Sequence, residues 1–169
     1  MPRLETRARF VLLRHAAEIP RPTNTARWAA LALPQARLLD YALPGQRFDD
    51  TPLRGESTWV LFPSPGPATL PAEPPRRIVV LDGTWAQARR MLQRIPALRT
   101  LPRLSLPPPA VRRRLRRPTM VGGMSTLEAV AGALRLLGEP EAAAALEALH
   151  ARALLRAEEL RGPLPGQAA

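Results

Sequence analysis

Apolar and polar residues follow each other along the chain in a pattern that predicts strands alternating with helices. Apolar runs rich in leucine and β-branched residues predict five strands, at residues 9–15, 37–41, 57–62, 77–81 and 104–106. Apolar residues at helical spacing predict four helices, at residues 25–33, 84–94, 126–137 and 139–161. This order is typical of an α/β fold with a mostly parallel sheet flanked by helices.

The segment IVVLDGTWAQARRML, at residues 78–92, contains the junction that says most about function. An apolar strand stops at Asp82, Gly83 turns the chain, and Thr84 begins a helix. Ligands of open α/β sheets bind just outside the carboxyl ends of the strands, so Asp82 lies where functional residues are expected. The alternative is that Asp82 and Thr84 only cap the helix, because Thr84 and Gln87 have the spacing of a capping box.

The tetrapeptide Asp82-Gly83-Thr84-Trp85 matches D-x-T-W, and with its context it resembles the DTW-domain family of tRNA-uridine aminocarboxypropyltransferases. The resemblance extends over residues 8–160 and includes RPTNTARWAALAL at 21–33, LPRLSL at 101–106 and GGMSTLEAVAGALRLLGE at 122–139. It implies a SPOUT-like fold and raises the expectation of a C-terminal trefoil knot. It also implies transfer of the aminocarboxypropyl group of S-adenosylmethionine to N3 of a tRNA uridine, with release of methylthioadenosine.

The same resemblance suggests which residues form the site. We expect a catalytic set of Asp82, Thr84 and Trp85. We expect a cofactor-binding set of Leu81, Asp82, Gly122, Gly123, Met124, Ser125 and Thr126. Backbone N–H groups at the start of the helix that follows Met124 would suit a carboxylate or a phosphate. Asp82 would either accept the proton of uridine N3 or hold the ammonium group of the cofactor.

Several of these residues also have a purely structural interpretation. Trp85 would stack on a base or pack in the core, and Thr84 would bind the substrate or cap its helix. Glu128 would reach the substrate or, as we favour, form a capping box with Ser125. His15, at the end of the first strand, would serve as an acid or base or make a structural hydrogen bond.

The charge of the chain indicates a polyanionic partner. The formal net charge is +11, and all 25 basic residues are arginines. Five of them form one cluster: Arg112, Arg113, Arg114, Arg116 and Arg117. With Asn24 and Arg27 they are the expected RNA-binding residues, although Asn24 would equally serve as a helix cap and Arg27 as a surface charge. Four alternatives stay open: the same transfer to ribosomal RNA, RNA methylation, non-catalytic RNA binding and general DNA binding.

Composition and length bear on metal binding, localisation and domain organisation. The chain has no cysteine and only two histidines, so we predict no metal site. No apolar run is long enough for a membrane span, and the first residues lack an apolar signal segment, so we expect a cytoplasmic protein. We expect one domain at residues 1–162, a disordered tail at 163–169, and a monomer or homodimer.

Overall fold

The computed structural model describes residues 2–64, 72–107 and 124–161, and in the last helix the side chains of residues 140–156 and of Glu159. These residues form five strands: β1 (Arg9–His15), β2 (Arg37–Tyr41), β3 (Thr58–Leu61), β4 (Arg77–Asp82) and β5 (Arg103–Leu104). They also form five α-helices: α1 (Thr25–Ala32), α2 (Trp85–Arg94), α3 (Pro96–Thr100), α4 (Thr126–Leu136) and α5 (Pro140–Arg161). Short 3₁₀ helices lie at Ala16–Glu18 and Thr51–Leu53.

The five strands form one sheet in the order β2-β1-β4-β3-β5, and every neighbouring pair is parallel. This arrangement confirms the predicted α/β fold. Because parallel strands all end at the same edge, the carboxyl ends of β1, β2 and β4 lie side by side. In the register of these strands, Arg14 pairs with Asp40 on one side and with Asp82 on the other. The segment expected to form a knot includes residues 108–123, which lie outside the described residues.

Each face of the sheet packs against its own set of helices. Phe10, Leu12, Ile78 and Val80 point to the layer of α1, α4 and α5. The intervening residues of the same strands, such as Val11 and Val79, point to the layer of α2 and α3. Side chains alternate along a strand, so the two faces are continued beyond the core by different polar residues.

Most predicted elements are confirmed to within one or two residues, and one helix was not predicted. The five-residue helix α3 follows directly after α2, with Pro96 at its first position and the amide of Ala97 donating to Asp50 Oδ2 at 2.8 Å. Gly138 ends α4 as expected, with a φ of 77° that favours glycine. No helix in the described ranges is both long enough and apolar enough to cross a membrane.

Candidate active site

Asp82 is the last residue of β4, and its carboxylate is held between two helix N-termini. Only 3% of the residue is exposed. Asn24 Nδ2 donates to Asp82 Oδ2 at 2.6 Å, and the hydroxyl of Thr126 donates to Asp82 Oδ1. We call Asp82, Asn24 and Thr126 the Asp82 cluster. Asn24 and Thr126 are uncharged donors, and they hold the buried carboxylate in place by hydrogen bonds from fixed side chains.

Asn24 carries out two structural tasks at once. Its Oδ1 accepts the amide of Arg27 at 3.0 Å and caps α1, while its Nδ2 binds Asp82. The next residue, Thr25, accepts the amide of Leu127 at 3.4 Å, which ties the start of α1 to the start of α4. Arg27 itself is exposed. The cap interpretation of Asn24 is therefore confirmed, and the contact with Asp82 adds a role that the sequence did not indicate.

Backbone N–H groups at the start of α4 donate hydrogen bonds within the protein. The amide of Ser125 donates to Glu128 Oε2 at 2.8 Å, and the amide of Glu128 donates to Ser125 Oγ at 3.2 Å. This capping box confirms the structural role favoured for Glu128. Because the amide of Leu127 also has a partner, Thr25, most N–H groups that were expected to be open to an anion donate within the protein.

Thr84 and Gln87 form the capping box that the sequence predicted for α2. The amide of Thr84 donates to Gln87 Oε1 at 2.7 Å, and the amide of Gln87 donates to Thr84 Oγ1 at 3.3 Å. Gly83 is not in the left-handed region. It is small for a different reason, since a Cβ at this position would lie 3.1 Å from the Cβ of Gln87 and 3.0 Å from its Oε1. The glycine therefore allows the cap to close against the strand end.

Trp85 belongs to a stack on the opposite face of the sheet from the Asp82 cluster. Its ring lies on that of Phe62, with centroids 5.0 Å apart and planes 13° from parallel. The guanidinium of Arg89 lies 5.7 Å from the centre of the Trp85 ring, and that of Arg103 lies 5.7 Å from the centre of Phe62. We call Arg103, Phe62, Trp85 and Arg89 the aromatic–arginine stack. The indole Nε1 is buried without a hydrogen-bond partner among the described residues.

Two more charged residues lie in the same cross-strand row as Asp82. Arg14 Nε and Nη2 donate to the two carboxylate oxygens of Asp40, at 2.7 and 3.1 Å. Each lies one residue before the end of its strand, Arg14 in β1 beside β4 and Asp40 in β2 beside β1, and their register places them on the same face as Asp82. Asp40 was not predicted as a site residue. Its position near a strand end, two residues after Leu38 of the core, was the available indication.

His15 ends β1 on the face of α2. Its Nδ1 accepts the amide of Ala17 at 3.2 Å, so the neutral ring carries its proton on Nε2. Burial lowers the pKa of His15 below its ordinary 6.5, the charge of Arg90 lowers it further, and Glu18 raises it. The ring is therefore neutral at physiological pH and makes the structural hydrogen bond that the sequence left as an alternative to acid–base chemistry.

Of the remaining expected residues, some lie within the described parts of the chain and some lie outside them. Leu81 packs with the core on the α2 face, and Met124 is half-buried just before the cap of α4. Gly122, Gly123 and the five clustered arginines, Arg112, Arg113, Arg114, Arg116 and Arg117, lie outside the described residues. Within the described ranges, no group of three or more potential metal ligands comes together.

Together, these features define an α/β protein with a buried carboxylate at the carboxyl edge of a parallel sheet. Two helix N-termini hold that carboxylate, and exposed arginines lie on the other face of the edge. The chain belongs to the DTW domain family, whose sequence model matches residues 1–156. No solved structure matches the chain.

Proposed function

We propose that the protein is a tRNA-uridine aminocarboxypropyltransferase that uses S-adenosylmethionine. The observation that carries this proposal is Asp82, a carboxylate of the D-x-T-W sequence that is fixed at the carboxyl edge of the sheet by Asn24 and Thr126. This edge is the usual ligand-binding position in open α/β sheets. Membership of the DTW domain family supports the same reaction class.

The side chains at this edge suit one end of S-adenosylmethionine better than the other. When bound, S-adenosylmethionine supplies an electrophilic methylene carbon next to its sulfonium. In the alternative to the base role proposed below, the carboxylate of Asp82 would instead hold the cationic ammonium group of the cofactor. The start of α4 fits the cofactor's own carboxylate less well, because the amides of Ser125, Leu127 and Glu128 already donate within the protein. We propose that Met124 and Ser125 line this binding site, together with Gly122 and Gly123. Leu81, also expected there, packs its side chain on the α2 face of the sheet and so faces away from Asp82.

We propose that Asp82 accepts the proton of uridine N3 as the new N–C bond forms. Asn24 Nδ2 donates to Asp82 Oδ2 and the Thr126 hydroxyl donates to Oδ1, so each oxygen of the carboxylate is bound by one of these side chains. Their fixed positions limit the rotation of the carboxylate, which favours a productive orientation toward the uridine. Thr84 and Trp85 act as positioning residues in this account, since Thr84 caps α2 and Trp85 stacks on Phe62.

The partner in this proposal is tRNA, and the net charge of +11 supports it. We propose that Arg27 and the arginines at 112–117 contact its phosphates. We propose a single domain over residues 1–162, in agreement with the length of the chain, and a protein that acts in the cytoplasm as a monomer or homodimer.

The test is a mass analysis of nucleosides from total tRNA incubated with the protein and S-adenosylmethionine. We expect a uridine that carries the aminocarboxypropyl group, with methylthioadenosine as the second product. A methylated nucleoside would contradict the proposal in favour of an RNA methyltransferase. Activity on ribosomal RNA alone would keep the chemistry and change the substrate. No product, with no binding of S-adenosylmethionine, would leave RNA binding as the function.

A further inference from the structure

Two exposed arginines are held on aromatic rings at the edge of the sheet where Asp82 lies. Trp85 and Arg89 belong to the first turns of α2, which begins three residues after Asp82. Phe62 follows β3 and donates its amide to the carbonyl of Leu104 at 3.0 Å, which fixes it beside β5 and Arg103. The stack therefore joins three neighbouring elements, and an arginine lies at each of its ends.

These two arginines have no carboxylate partner in the described parts of the protein. Arg89 and Arg103 are both exposed, and neither forms an ion pair with the described carboxylates. Arg14, by contrast, gives two of its donors to Asp40. An arginine without a carboxylate partner keeps its full charge and its planar set of five donors for a ligand.

We propose that the aromatic–arginine stack is a docking surface for an unpaired segment of RNA, in which a base stacks on the guanidinium of Arg89. Guanidinium planes stack on bases and also bind phosphates, which suits a single strand better than a regular duplex. The inference rests on the proposed function, because it takes the tRNA substrate as the partner. It adds the location at which that RNA is held, at the same sheet edge as Asp82 but on the opposite face.

The aromatic rings hold the arginine side chains in place before RNA binds. Contact with Trp85 restricts the rotamers of Arg89 before any ligand binds, so less conformational freedom is lost on binding. Trp85 contributes its ring face to this contact, while its Nε1 is buried without a partner in the described residues. A phenylalanine at position 85 would therefore keep the support of Arg89, whereas an aliphatic side chain would remove it.

The experiment measures the binding of an unmodified tRNA transcript by fluorescence anisotropy at several salt concentrations, without S-adenosylmethionine. Arg89→Ala is expected to weaken binding about 10-fold, the loss of one stacked base. Arg89→Lys keeps the charge and the salt dependence but not the planar surface, so its affinity is expected to stay about 5-fold below wild type. Arg152→Ala, an exposed charge on α5, is the matched control and is expected to change affinity less than about 2-fold.

Two further variants test the role of the ring. Trp85→Phe is expected to bind like wild type, and Trp85→Leu like Arg89→Ala, with thermal unfolding checking that both are folded. The proposal is overturned if Arg89→Ala behaves like Arg152→Ala, if Arg89→Lys restores full affinity, or if wild type binds duplex DNA as tightly as tRNA. These results are independent of the nucleoside analysis. A protein that makes no aminocarboxypropyl product but binds RNA through Arg89 would refute the function and keep the docking surface.

Discussion

The two faces of the sheet edge differ in the charged groups that they carry. On the face of α1 and α4, Asp82 is buried and accepts hydrogen bonds from the uncharged side chains of Asn24 and Thr126. On the face of α2, Arg89 and Arg103 are exposed and lie on aromatic rings. The first face fixes one functional group in a single orientation. The second presents flat, cationic groups to the solvent, as a protein needs for a flexible polyanion.

This difference predicts where substitutions affect folding and where they affect binding. A buried carboxylate that loses a donor keeps its desolvation cost, so changes in the Asp82 cluster should lower stability. A cation–π contact at an exposed site contributes only about 0.5–1 kcal/mol, so changes in the stack should affect stability little and ligand binding more.

The largest stability effect is expected for Asn24→Ala. This change removes the cap of α1 and one donor to Asp82, and we expect a loss of about 2–4 kcal/mol in the free energy of unfolding, measured by urea denaturation. Thr84→Ala is the matched control, because it removes a helix cap without a contact to Asp82. We expect it to cost about 1 kcal/mol.

A second substitution at the same position separates the two tasks of Asn24. Asn24→Asp keeps a side-chain acceptor for the cap but places a second carboxylate against Asp82. We expect it to be less stable than wild type at neutral pH and to recover part of the difference as acid protonates one carboxylate. Equal losses for Asn24→Ala and Thr84→Ala would show that the bond to Asp82 adds nothing.

The next effect in size is expected for Thr126→Val, which keeps the shape of the side chain and removes its hydroxyl. Asp82 Oδ1 then loses a buried donor, and we expect a cost of about 1–3 kcal/mol in urea denaturation. Thr100→Val is the control, since Thr100 is exposed and its hydroxyl donates to the carbonyl of Ala97 and to no other described residue. Its effect should stay within about 0.5 kcal/mol.

A smaller effect is expected for Arg89→Ala, which removes one end of the aromatic–arginine stack. The free energy of unfolding should fall by no more than about 1 kcal/mol, because the contact with Trp85 is exposed. The measurement is the same urea denaturation. A loss as large as that of Asn24→Ala would contradict the division of the two faces into a structural and a ligand-binding side.

The smallest effect concerns the titration of His15. Its pKa is lowered by burial and by Arg90, so a ring-proton NMR titration should give a midpoint below 6.5. Arg90→Gln removes one cause and should raise the pKa of His15. Because the folded protein binds this proton less readily than the unfolded chain, the stabilisation from neutral His15 is complete above pH 6.5 and is lost as the pH falls below it. A pKa above 6.5 in wild type would contradict the environment described for His15.

The sequence was sufficient to predict most of the fold because the boundaries of its elements depend on neighbouring residues. The capping boxes of Thr84 and Ser125 and the stop at Gly138 are local features, and all are present in the structure. The helix α3 was missed because five residues are too few to establish a helical period. Its only local indication was Pro96 at the first position.

The site was predictable only in part. The position of Asp82 at a strand end follows from the local pattern. Its partners do not, because Asn24 lies 58 residues before it and Thr126 lies 44 residues after it. The packing of Phe62 on Trp85 depends in the same way on how β3 and α2 meet in space. Tertiary contacts of this kind leave no trace in the periodicity of either segment.

The most direct test of the account is Asp82→Asn, assayed for aminocarboxypropyl-uridine in tRNA and, by calorimetry, for binding of S-adenosylmethionine. Asp40→Asn is the matched control, since Asp40 lies one residue before the end of β2 on the same face but pairs with Arg14. We expect Asp82→Asn to lower product formation by about 10²- to 10⁴-fold with cofactor binding retained, and Asp40→Asn to have a much smaller effect. Near-normal turnover of Asp82→Asn, or loss of cofactor binding in its place, would contradict the assignment of Asp82 as the base.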